Sequence, residues 1–170
     1  YNIGITITGS GSTGNIIKGN YIGIDKNGTT FITGSSQTMG ILINISAASN
    51  IIGGSGAGEG NVISGNKDAT SSGKGIYLVS SAAGGNTILG NIIGPQADGV
   101  TYLTSNAQYY GIRIDNSPNN TIGGITSGAR NIISANESSG IYITGASSTG
   151  NFVKGNYIGT NETLANYGNA

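Results

Sequence analysis

Residues 4–23, GITITGSGSTGNIIKGNYIG, hold three apolar bursts: Ile5-Thr6-Ile7, Ile16-Ile17 and Tyr21-Ile22, parted by Gly, Ser, Thr and Asn. β-Branched and aromatic residues suit strands, and Gly and Asn suit the bends between them. One such stretch alone would fit any small all-β protein. The pattern returns, however. Gly-Ile-x-Ile or Gly-Ile-x-Leu stands at Gly4, Gly40, Gly75, Gly111 and Gly140, at intervals of 36, 35, 36 and 29 residues. Two Asn-x-Ile/Val triplets follow each time, opening at Asn15, Asn50, Asn86, Asn120 and Asn151, then at Asn20, Asn61, Asn91, Asn131 and Asn156. Self-similarity at such a period is the signature of a solenoid.

The reading is a single all-β segment over 1–170, a parallel β-helix of about five coils (4–39, 40–74, 75–110, 111–139 and 140–170) with three strands of about four residues each. Each coil leaves its backbone N–H and C=O groups unpaired, so coils must stack at roughly 4.8 Å per step, about 24 Å for five. Period-2 alternation points Ile5/Ile7, Ile41/Ile43, Ile76/Leu78, Ile112/Ile114 and Ile141/Ile143 inward. Ile17, Ile52, Ile88, Ile122 and Val153 form a second inner column, and Ile22, Ile63, Ile93, Ile133 and Ile158 a third. An Asn amide carries two donors and an acceptor, so both Asn columns read as hydrogen-bonded ladders at bends. The coils also alternate. In odd coils the paired Asn residues lie five apart and a long loop follows. In even coils they lie eleven apart, through inserts 53–60 and 123–130. Residues 8–23 and 144–159 agree at 12 of 16 positions.

Composition narrows the functional classes. Among 170 residues there are 32 Gly but no His or Cys, and only 8% are charged, with net charge zero. A Ser-His-Asp triad, an imidazole or thiolate metal site and a disulfide are all excluded. Scattered basic residues lack the electrostatic footprint of a nucleic-acid binder. No apolar run approaches the ~20 residues of a membrane span. No cofactor is called for.

The strings Gly-Asn-Tyr-Ile-Gly (19–23 and 155–159), Asn-x-Ile-Gly-Gly and Asn-Val-Ile-Ser-Gly-Asn (61–66) resemble the repeats of large secreted or surface bacterial β-helix proteins of the pectin-lyase-like superfamily. The resemblance covers nearly the whole chain and implies a right-handed coil. It implies little about activity, because that fold carries lyases, hydrolases, adhesins and inert stalks.

A catalyst of that kind needs clustered carboxylates. Asp25, Glu59, Asp68, Asp98, Asp115, Glu137 and Glu162 lie in different coils and mostly in different loops, so paired-carboxylate chemistry lacks its geometry and no enzyme is expected. The outward column of the first strand is richer: Thr6, Leu42, Tyr77, Arg113, Tyr142. Arg113 should stack between Tyr77 and Tyr142 and pair with Asp115, two residues along the same face. That makes Tyr77, Arg113, Asp115 and Tyr142 the candidate ligand face, suited to glycans, against a plainer reading as a stabilising ladder. Asp25-Lys26-Asn27-Gly28 has the spacing of a calcium loop through Asp25 and Asn27, but also that of an ordinary turn. Lys18 and Lys154 share a column that Leu89 interrupts, so no basic stripe forms.

Neither end carries a recognisable cap; Tyr1-Asn2-Ile3 corresponds to residues just before later Gly-Ile strands. The expectation is an extracellular or cell-surface scaffold with an adhesion role. It would be either a stalk with flanking coils of the same chain or a subunit that self-associates end to end as a filament. The alternative is a non-catalytic part of a polysaccharide-active β-helix enzyme, or a carbohydrate-binding module.

Overall fold

The computed structural model describes all residues except 1, 32–36, 68–71, 81–83, 103–104, 162, 164–167 and 170. The first strand of each coil is β1 (Asn2–Thr8), β4 (Gln37–Asn44), β7 (Lys74–Val79), β10 (Tyr110–Asp115) and β13 (Ile141–Thr144), numbered in chain order. The second is β2 (Ile16–Ile17), β5 (Ile51–Gly53), β8 (Thr87–Leu89), β11 (Thr121–Ile122) and β14 (Phe152–Val153). The third is β3 (Tyr21–Ile22), β6 (Val62–Ile63), β9 (Ile92–Ile93), β12 (Ile132–Ile133) and β15 (Tyr157–Ile158). Each set forms one parallel five-stranded sheet, ordered coil after coil. The chain is a parallel β-helix.

Register follows the sequence columns. Ile5 pairs with Ile41, Ile41 with Ile76, Ile76 with Ile112 and Ile112 with Ile141. Ile22, Ile63, Ile93, Ile133 and Ile158 stack likewise. Strand lengths depart from the even expectation. The first strands of the first four coils run 6 to 8 residues, because residues before the glycine (Met39, Lys74, Tyr110) also pair. The second and third strands are cut to 2 or 3 residues by the bends on either side.

The three inner columns meet in one dry core. Ile41, Ile43, Ile52, Ile63, Ile76, Leu78, Ile88, Ile93, Ile112, Ile114, Ile122 and Ile133 are fully buried. In the fifth coil the same columns open to solvent: Ile143, Val153 and Ile158 are 41%, 43% and 44% exposed. They have a coil on one side only.

Both Asn columns are continuous ladders with one direction. Asn50 Oδ1 accepts from the Asn15 N–H and Nδ2, at 3.0 and 2.8 Å, and Asn86 Oδ1 accepts from Asn50 in the same way. Asn120 and Asn151 continue this ladder. The second ladder runs Asn20, Asn61, Asn91, Asn131, Asn156 with identical polarity. Every amide donates toward the later coil. A third ladder lies at the remaining corner and is absent from the sequence reading. Gln37 Nε2 donates to Asn66 Oδ1, Asn66 Nδ2 to Gln108 Oε1, and Asn136 Nδ2 to Asn169 Oδ1. Between Gln108 and Asn136 it is interrupted, leaving Gln108 Nε2 and Asn136 Oδ1 buried without a partner.

The alternation of coils has a steric cause. After strand 3, an odd coil sends out a hairpin, bridged Ile24 to Phe31 in coil one and Pro95 to Tyr102 in coil three. The returning arm lies beside the even coil: a Cβ on Gly65 would meet that of Phe31 at 3.2 Å. The hairpins then stack directly, the Ala97 N–H donating to Gly28 O at 2.9 Å. Each hairpin is thus two rungs thick, and the coil between has no room for its own. The even-coil inserts behave alike at the second corner. The Gly19 N–H donates to Glu59 O and the Gly90 N–H to Ala129 O, so each insert reaches the odd coil before it. It also reaches the one after: a Cβ on Gly90 would stand 2.0 Å from Gly54 O, and one on Gly155 2.0 Å from Gly124 O. The second insert carries a 3-10 turn at Ser127–Ala129.

Candidate functional site

The outward column of the first sheet assembles as its alternation demands. Leu42 pairs with Tyr77, Tyr77 with Arg113 and Arg113 with Tyr142 on consecutive rungs. Strands one rung apart put neighbouring side chains about 4.8 Å apart, the thickness of a stacked guanidinium. The Arg113 guanidinium carbon lies 5.2 Å from the centre of the Tyr77 ring and 5.7 Å from that of Tyr142. Its Nη2 bonds Asp115 Oδ2 at 2.8 Å, and the Tyr77 hydroxyl donates to the same oxygen at 3.4 Å. All four residues of the candidate face are in contact. Partial burial pushes the Tyr77 phenol above its ordinary pKa, with the Asp115 charge and hydrogen bond adding to this and Arg113 opposing it.

The structure adds rings that the sequence reading left out. Tyr110 lies at the start of β10, and its ring stacks on Tyr142 with centroids 5.0 Å apart and planes 17° off parallel. It also meets Arg113, at 5.7 Å, and Tyr109 edge-on at 4.7 Å. Lys74 lies over the other side of Tyr77, at 5.4 Å. Arg113 Nε is buried and has no hydrogen-bond partner. One cation therefore sits among three rings, neutralised by one carboxylate. Such a cluster offers flat apolar faces and hydroxyl edges, and no group placed for acid–base work.

The described carboxylates are all engaged within the chain. Glu59 pairs with Lys18 at 2.9 Å, and Glu137 pairs with Lys67. The Lys18 hydrogen bond, helped by the Gly56 N–H, holds Glu59 below the usual carboxylate range. Asp25 Oδ1 accepts from the Thr29 and Thr30 N–H groups at 2.8 and 2.9 Å. Those bonds to Thr30 and Thr29 hold its carboxyl low. Asp98 performs the same closure in the next hairpin, accepting from the Val100 and Thr101 N–H groups. Burial raises Asp98, but the Thr101 hydroxyl and the two N–H groups outweigh it and leave its pKa lowered. Asp68 and Glu162 lie outside the described residues. Among the described residues no three acids cluster to hold a metal ion around Asp25 and Asn27 or elsewhere.

A groove of about 440 Å³ runs along the third sheet, between the Gly-rich inserts and the hairpins. Its floor is the outward column Tyr21, Val62, Ile92, Ile132, and Arg130 stands in its wall. The Arg130 guanidinium carbon is 5.4 Å from the Tyr157 ring centre, and among the described residues no carboxylate pairs with it. Arg130 closes an insert and Ile132 falls on an outward position, so adjacency of the two was readable only once the insert was folded back.

No family model, curated protein or solved structure matches this chain. Among the described residues no helix is long and apolar enough to cross a membrane.

Proposed function

We propose that this β-helix is an extracellular structural scaffold, a rod segment of a surface stalk or filament with an adhesive role. The observation that carries it is the directional stacking of the coils. Every Asn in two ladders donates toward the later coil, so one face of the rod presents acceptors, at Asn15 and Asn20 Oδ1, and the other presents donors. Faces of opposite character join only in the same sense, which extends a rod and does not close it into a compact body. The exposed Ile143, Val153 and Ile158 supply the apolar part of such a joint. The engagement of all described carboxylates supports a non-catalytic role. Among rod forms, the stalk with flanking coils suits the alternation better, because stacking this chain on its own copy sets one odd coil against another. A right-handed, pectin-lyase-like assignment is supported by the three-sheet coil and by the strong right-handed preference of parallel crossovers.

Small-angle scattering and negative-stain imaging across a concentration series test this reading. Rods that lengthen in steps of about 24 Å, or a rigid 24 Å cylinder, are expected; a globular particle of other shape would sink it. A second reading, glycan binding, draws support from Arg130 beside Tyr157 and the groove floor. Calorimetry with neutral and acidic oligosaccharides checks it. Binding lost in Arg130→Ala would favour it, and an absence of heat with every glycan class would end it.

A further inference from the structure

We infer that the open face of the fifth coil is a docking surface selective for a coil of the eleven-spaced class, whether the same chain or another carries it. This rests on the rod reading and adds what the next rung must be. The first ground is the second corner. In coils one and three a glycine just before the second Asn donates its N–H to the insert of the following even coil: Gly19 to Glu59 O at 3.2 Å and Gly90 to Ala129 O at 3.3 Å. Gly155 occupies the same place in coil five. It already carries the preceding insert on its other side, against Gly124 O, and among the described residues no carbonyl receives its N–H. Only a coil whose Asn residues lie eleven apart brings a carbonyl there.

The second ground is the third corner. Residues from Thr160 onward rest on the preceding hairpin, Asn161 Nδ2 donating to Gly99 O at 3.4 Å. That repeats the seat of the second hairpin on the first, through Ala97 and Gly28. Since a hairpin is two rungs thick, a five-spaced coil placed next would drive its own hairpin into occupied space. Coil one of a second copy is of that rejected class. The ladders fix orientation as well: the incoming coil must present Asn Oδ1 acceptors to the Asn151 and Asn156 N–H groups, as Asn151 and Asn156 do to Asn120 and Asn131.

The test extends the whole 170-residue chain by a sixth coil. Asn169 holds the ladder place of Gln37 and Gln108, each three residues before a Gly-Ile strand. A copy of residues 110–139 joined after Ala170 keeps that spacing and adds an eleven-spaced coil. A copy of 74–110 keeps it and adds a five-spaced one. Hydrogen exchange at the Ile143, Val153 and Ile158 amides is then compared with the unextended chain, with the amides of residues 112–114 as the folding control. The expected result is slowing of ~100-fold or more with the 110–139 copy, on the scale of a local opening becoming a cooperative one, and little change with the 74–110 copy. Equal slowing by both copies would overturn the selectivity while leaving the rod intact. No slowing by either would overturn the rod reading itself.

Discussion

Truncating Asn91 to Ala isolates what a ladder rung contributes. Asn91 is 1% exposed. Its Nδ2 donates to Ile52 O at 2.9 Å, Leu89 O at 3.1 Å and Asn131 Oδ1 at 3.0 Å, and its Oδ1 accepts from the Asn61 N–H and Nδ2. The Asn61 side chain retains a bond to Ile17 O, but the Asn61 backbone N–H loses its acceptor inside a water-free corner. A buried donor left unmet costs about 1–3 kcal/mol, and each lost bond about 1 kcal/mol net. A total near 4 kcal/mol follows, or roughly 10 °C in Tm for a chain of this size. Asn15→Ala is the matched control. Asn15 is exposed and donates from its side chain to Asn50 alone, so its removal should cost only about 1 kcal/mol. Urea and thermal melts followed by circular dichroism near 218 nm measure both variants. If Asn91→Ala falls within 0–1 kcal/mol of Asn15→Ala, by the same approximate scale, the ladders are ornaments of the corners and not their support.

Ile93→Ala empties a fully buried core position and should lower stability by about 2–5 kcal/mol, while Ile158→Ala, in the open last rung, should cost clearly less in the same melts. Arg113→Ala should reduce stability by about 1 kcal/mol and Arg113→Lys should restore little of it, because an ammonium cannot stack flat between Tyr77 and Tyr142. The lowered pKa values of Asp25, Glu59 and Asp98 make a contribution that is complete above the ordinary carboxylate range, near pH 4, and is lost as pH falls through their depressed folded values. Tm should therefore drop steeply below about pH 4, and Asp98→Asn should flatten that drop. Ultraviolet titration should show Tyr77 ionising later than an ordinary phenol, and Asp115→Asn should bring it partway back.

Much of this fold was legible because one residue type recurs at one position. Ile22, Ile63, Ile93, Ile133 and Ile158 can be stacked on paper, and so can the Asn columns. The third ladder escaped because its rungs differ in chemistry and offset. Gln37 and Gln108 precede a glycine by three residues, whereas Asn66 and Asn136 belong to the Asn-x-Ile-Ser-x-Asn strings of even coils. Those strings were the available signal. The Tyr77–Arg113–Tyr142 stack followed from strand alternation alone. Tyr110 did not, since nothing in a Gly-Ile phrase shows that pairing begins before the glycine. Alternating loop lengths were visible in the sequence, but their cause is thickness, a property of folded hairpins.

The backbone bonds between coils run parallel to the long axis, and that orientation governs how the molecule bears tension. A pull applied at its two ends strains one inter-coil interface at a time, so the outermost coil peels first while its neighbours stay intact. Each release frees a loop such as the 36 residues from Gly4 to Gly40, roughly 120 Å of slack at full extension. Under load the rod would yield in a staircase of equal lengths and dissipate work at each tread. A tether holding a cell against flow would draw on that property.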